Sequence, residues 1–117
     1  TNTLGNLGLA NAEALLIEAG VQDNSQKAPV VIVMTAAMAK MQAVFPGADP
    51  HKNIYLEGGH IGQNVYLEVE SLGMATVVSG GFNPIAVAKA LRIDPVTEEV
   101  VYLIPFGHIG EEAQTAE

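Results

Sequence analysis

A chain of 117 residues, 49% hydrophobic and 15% charged, has the size and composition of a single buried core and leaves no room for a second independent domain. Thirteen acidic against five basic residues give a formal charge of -8, which repels a phosphate backbone and argues against nucleic acid as a partner, while the lack of cysteine excludes disulfides, iron–sulfur clusters and thiolate zinc sites. The longest nearly apolar run, Ala28 to Ala39, is too short to span a bilayer, and the opening residues show no cationic stretch followed by an apolar one, so the expectation is a cytoplasmic chain with no membrane partner.

In chain order, residues 9–19 (LANAEALLIEA) carry apolar residues at helical spacing and stop at Gly20, which predicts a short helix. The polar QDNSQK that follows predicts a loop, and PVVIVMT (29–35), bounded and β-branched, predicts a strand covered on both faces. Thr35 is the expected cap of a helix over AAMAKMQAVF, and PGADP (46–50) breaks the chain. From Lys52 to Leu72 two apolar stripes lie side by side, Ile54, Gly58, Ile61, Val65 and Leu72 beside Tyr55, Gly59, Gly62, Tyr66 and Val69, predicting a long helix buried between other elements. Gly73 ends it. ATVVS (75–79) predicts a second buried strand, Asn83-Pro84 an N-cap and first turn opening a helix over 84–91, DPVT (94–97) a turn, and EEVVYLIPF (98–106) a third strand before a polar tail.

Two glycine groups stand out. Gly80-Gly81 falls between an apolar strand and a helix N-terminus, where free backbone N–H groups can face an anion or an electron-rich ring atom, although a tight turn alone explains the same pair. Gly58 and Gly62 remove two side chains from one helix face at a cost of about 1 kcal/mol each relative to alanine. A close helix crossing, within the subunit or across a dimer, is the favoured reason. Gln63 and Asn64 in the same helix need partners if buried, from backbone, a facing subunit or a cofactor.

Other chemistry lacks support. His51, His60 and His108 show no ligand spacing, so no metal site is expected. Ser71 and Ser79 lie in no Gly-x-Ser-x-Gly elbow, no phosphate-binding Gly-x-x-x-x-Gly-Lys loop occurs, and Glu57, Glu68 and Glu70 read as a solvated helix edge.

Taken together, KAPVVIVMTA, IYLEGGHIGQNVYLEVESLGMATVVSGGF and VYLIPFGH resemble the C-terminal part of the nitroreductase-like flavoprotein superfamily, nearest its SagB-type dehydrogenase branch. The resemblance covers most of residues 27 to 108. It implies an α+β fold, a mixed sheet flanked by helices, with the long helix over 53–72 central to a homodimer and FMN at the subunit interface. It further implies an oxidoreductase that passes a hydride from NAD(P)H through flavin N5 to a small organic acceptor. The turn Ser79, Gly80, Gly81 and Phe82 would lie against the flavin ring, with Gln63 and Asn64 as further cofactor candidates and no side chain of this segment catalytic. Family residues for the FMN phosphate precede anything matched here, so residues 1–108 are expected to be the C-terminal portion of such a domain and 109–117 a polar tail. AVFPGADPHKN carries no Lys-Tyr pair of the kind found before the Gly-His helix in azoline-oxidising members, and the chain ends acidic. The alternative is a non-catalytic dimerising or partner-binding module that has lost FMN.

Overall fold

The computed structural model describes residues 11–22 and 26–110; residues 9 and 10 of the first expected helix, the middle of the QDNSQK loop and the end of the expected tail lie outside them. The elements in order are α1 (Ala12–Glu18), β1 (Val30–Ala37), α2 (Met38–Val44), α3 (Pro50–Ser71), β2 (Ala75–Thr76), α4 (Pro84–Ala90) and β3 (Glu98–Gly107). The three strands form an α+β arrangement with sheet order β1-β3-β2, and both pairings are antiparallel. No helix among the described residues is long and apolar enough to cross a membrane.

Local chemistry sets most helix ends. Asn11, Asp49 and Asn83 each accept a backbone N–H of the first turn that follows, and Pro50 and Pro84 occupy first-turn positions where no N–H is needed. Helices α1 and α3 close on Gly20 and Gly73, both at φ +70, with paired bonds from the glycine amide and the one after it back into the last turn. Helix α4 closes by the same two bonds, but the left-handed residue is Arg92 at φ 59.

The expected Thr35 cap is not formed. Strand β1 continues through Ala37 because Ala36 and Ala37 pair with Glu99 and Glu98, and the Thr35 hydroxyl donates to the Glu98 carboxylate. Helix α2 therefore starts at Met38 without a side-chain cap. Strand β1 is also not covered on both faces: Val31 and Val33 pack on the core while Val30 and Ile32 are almost half exposed.

The second expected strand is shorter than 75–79. Ladder pairing covers Ala75 and Thr76, lapses, and resumes as one bridge between Ser79 and Leu103 in unbroken register. The interruption falls opposite Pro105, which has no N–H to give, and the Thr76 hydroxyl takes the Pro105 carbonyl at 2.6 Å instead. Val77 is correspondingly exposed rather than buried.

Between Met34–Tyr102 and Thr35–Val100 the β1–β3 register shifts, leaving Val101 as an extra residue. The bulge turns Val101 and Tyr102 toward α3, while Val100 and Leu103 join Ala19, Val21, Val87 and Ala88 in the core on the other face, with Phe82 packed against it. Helix α3 is not buried between other elements, and each of its two stripes is divided between a face on the sheet and solvent. Ile54, Gly58, Gly62 and Val69 are buried, whereas Tyr55, Leu56, Tyr66, Leu67 and Leu72 stay exposed.

Candidate functional site

Gly58 and Gly62 face the sheet of their own chain. A Cβ on Gly58 would lie 3.2 Å from Val101 Cγ1 and 3.8 Å from Tyr102 Cε2, and one on Gly62 would lie 3.7 Å from the same Tyr102 atom and 3.6 Å from the Val78 methyls. The bulky wall they admit is the Tyr102 ring. Its other edge reaches the candidate turn, since a Cβ on Gly80 would sit 3.8 Å from Tyr102 Cε1.

The segment that carries Ser79 to Phe82 is held from several sides. Ser79 is buried and exchanges both backbone bonds with Leu103, at 2.8 and 3.0 Å. One residue earlier, the Val78 amide donates to the Tyr66 hydroxyl at 2.9 Å. Gly81 N–H donates to Ser79 Oγ at 3.3 Å, Phe82 N–H to the Gly80 carbonyl at 3.2 Å, and Asn83 N–H to the Ala19 carbonyl at 3.4 Å. Phe82 anchors the end of the turn against the core, so its ring is a structural peg. Gly80 and Gly81 themselves are exposed, and among the described residues the Gly80 amide has no partner.

The N-terminus of α4 does not offer its free N–H groups to an anion, because Asn83 Oδ1 accepts both Ile85 and Ala86 N–H at 3.1 Å. What the turn presents is a pair of glycines and one unengaged donor. A Cβ at Gly81 would stand 3.0 Å from Gln22 Nε2, the end of a flexible side chain. No cation lies within residues 79–82 to meet a phosphate.

Gln63 and Asn64 are not brought to this turn. Each is exposed, and at 100° per residue they point away from the Gly58–Gly62 line that faces the sheet. Within one chain the six candidate residues therefore split into a turn, 79–82, and a pair on the outer face of α3.

Sequence reasoning passed over a polar cluster at the start of α3. His51 Nδ1 lies 2.7 Å from Asp49 Oδ1 and its Nε2 3.3 Å from Glu99 Oε2, while the Tyr55 hydroxyl donates to Glu99 Oε1 at 2.8 Å. The hydrogen bond to Asp49 raises the His51 pKa against a smaller opposing effect of desolvation, and the same bond lowers that of Asp49. Tyr55 is raised, chiefly by its bond to Glu99. The sequence reading placed Asp49 and Pro50 in a break and began the helix at Lys52, whereas α3 starts at Pro50 with Asp49 as its cap, and the partner Glu99 is distant in sequence. Among the described residues no group of three or more His, Cys, Asp or Glu is arranged to hold a metal ion.

A long helix laid by its glycines on an antiparallel sheet, with an exposed Gly-Gly turn pinned to the central strand, defines a nitroreductase-like α+β fold. The chain belongs to the nitroreductase family, whose model matches residues 6–108. It is 34% identical over 80 residues, 68% of its length, to a protein of Methanocaldococcus jannaschii assigned as a nitroreductase, and covers 38% of that relative. Its fold is similar to that of a Ralstonia eutropha protein also assigned as a nitroreductase, with a TM-score of 0.65 at 24% identity, covering 71% of this chain and 39% of the other. It is similar again to a chain of the Escherichia coli microcin synthetase McbBCD complex, solved with truncated pro-MccB17 bound. There the TM-score is 0.79 at 20% identity, covering 93% of this chain and 41% of the other. The chain thus spans about two fifths of the length of the proteins it matches.

Proposed function

We propose that this chain is the ring-supporting part of an FMN-dependent oxidoreductase that takes a hydride from NAD(P)H and reduces a small organic acceptor such as a nitroaromatic or quinone. The observation that carries the reading is the exposed Gly80-Gly81 surface, bare of side chains yet fixed by the Ser79–Leu103 bonds beneath it. Membership of the nitroreductase family supports it. FMN, when bound, would supply the redox chemistry that links hydride donation by NAD(P)H to reduction of the acceptor.

The chain's own residues have simpler tasks. Gly80 and Gly81 would let the ring approach the backbone, the Gly80 N–H would be available to it as a donor, and Ser79 and Phe82 keep the turn in place. No side chain here needs to act as a general acid or base. Gln63 and Asn64 would reach the cofactor only from a second copy, which fits a homodimer packed through the outer face of α3. Leu56 and Leu67 there are each more than half exposed.

A second reading is a dimerising or partner-binding module that has lost FMN. It is favoured by the Asn83 cap, which fills the α4 N-terminus, and by the absence of a cation in the turn. Steady-state oxidation of NADPH and NADH by a quinone, with the full-length protein and added FMN, separates the two: FMN-dependent turnover supports the oxidoreductase, and none at any FMN concentration supports the module.

A further inference from the structure

We infer that Tyr66 and Tyr102 are positioning residues that brace the Ser79–Phe82 turn against α3, so that the long helix and the ring-supporting turn behave as one rigid unit. The inference rests on the flavin reading above. Two independent contacts carry it. The Tyr66 hydroxyl of α3 accepts the Val78 amide at 2.9 Å, between the lapse in the ladder opposite Pro105 and the bridge from Ser79 to Leu103, and so ties the segment leading into the turn to the helix. The Tyr102 ring fills the space between the two helix glycines and Gly80, within 3.8 Å of the Cβ positions of Gly58, Gly62 and Gly80.

The physical consequence concerns donor placement. Glycines are the least restrained residues of a chain, and an exposed Gly-Gly turn would sample many backbone directions unless its approach were fixed. A ring cannot shift sideways between two packed walls, and a hydrogen bond to the preceding amide sets the entry angle. The Gly80 N–H is then aimed before a ligand arrives, which lowers the ordering cost of binding.

The test uses the full-length protein and the variants Tyr66→Phe, Tyr102→Ala and Tyr102→Phe. Amide exchange at Val78 and Gly81, read without flavin, is expected to quicken about tenfold in Tyr66→Phe and Tyr102→Ala as the local opening becomes easier. The FMN dissociation constant is expected to rise about fivefold in Tyr66→Phe, the effect of one hydrogen bond, together with a shift in the visible band of the bound flavin. Tyr102→Phe, which keeps the ring, is expected to recover most of what Tyr102→Ala loses. Unchanged exchange in both variants would overturn the brace. Faster exchange with parental FMN affinity and spectrum would overturn its positioning role while leaving the flavin reading intact. A parent protein that binds no FMN would remove the reading, and with it this inference.

Discussion

Gly58 lies so close to Val101 that a methyl placed on it would stand 3.2 Å from Val101 Cγ1, whereas a methyl on the adjacent Gly59 would meet nothing within 4 Å. The two neighbouring glycines therefore answer to different constraints. Gly58 makes room for the bulged strand, and Gly59 carries the ordinary helix penalty with no compensating contact inside its own chain. Gly59→Ala is expected to stabilise the fold by about 1 kcal/mol, and Gly58→Leu to destabilise it by about 1–3 kcal/mol through overpacking. Urea unfolding of the two variants checks the contrast, and equal midpoints would refute it.

Gly107 presents a harsher case at the end of β3. A Cβ there would fall 2.7 Å from Cγ and 2.8 Å from Cδ of Pro29, inside a ring that cannot rotate away. Gly107→Ala is expected to lose about 1–3 kcal/mol, and Pro29→Ala in the same chain to restore part of it. A double-mutant cycle that is strictly additive would contradict the contact.

The long helix was largely legible in the sequence: Gly73 closes α3 as a local event, as Asn83-Pro84 opens α4, while its true start at Asp49-Pro50 lay inside the stretch read as a break, two residues before Lys52. What escaped was decided by partners far along the chain. Thr35 reads as a cap until Glu98 claims its hydroxyl, and ATVVS reads as a full strand until Pro105 arrives opposite its middle. Arg92 in a left-handed cap has no sequence signal at all, since glycine or asparagine is the usual occupant. The Gly80-Gly81 turn was legible as a candidate site. Its supports, Tyr66 on Val78 and the Tyr102 ring, were not, because neither is close in sequence to what it touches.

The polar cluster at the head of α3 gives stability a pH window. The fold raises the His51 pKa above 6.5, mainly through the hydrogen bond with Asp49, so its contribution is complete below 6.5 and disappears as pH rises through the higher folded value. It lowers the Asp49 pKa below 3.8, so that contribution is present above 3.8 and disappears as pH falls through the lower folded value. Both act together between these limits. The parent's stability advantage over His51→Ala should accordingly be larger at about pH 5 than at about pH 9, as read from urea midpoints. An advantage that does not change with pH would contradict the assignment.

The exposed apolar side chains of α3 lead to an expectation about assembly. Leu67 is 62% exposed on the outer face of a helix whose opposite face is already seated on the sheet. Exposed apolar residues gathered on one face mark a surface that another chain covers. Leu67→Asp is expected to turn a dimer of the full-length protein into a monomer without unfolding it, by light scattering and circular dichroism at micromolar concentration. A parent that is monomeric, or a variant that remains dimeric, would contradict the proposed face.

The central claim is that the Gly80-Gly81 surface receives the flavin ring, and the most direct test is the FMN dissociation constant of the full-length parent against Gly81→Val, measured by quenching of flavin fluorescence. The added side chain would begin 3.0 Å from Gln22 Nε2 and occupy the space over the turn, while Ser79 keeps its ladder bonds with Leu103. The account predicts tight binding by the parent and loss of binding in a variant with a parental circular dichroism spectrum. Equal FMN affinity in the two proteins would contradict it.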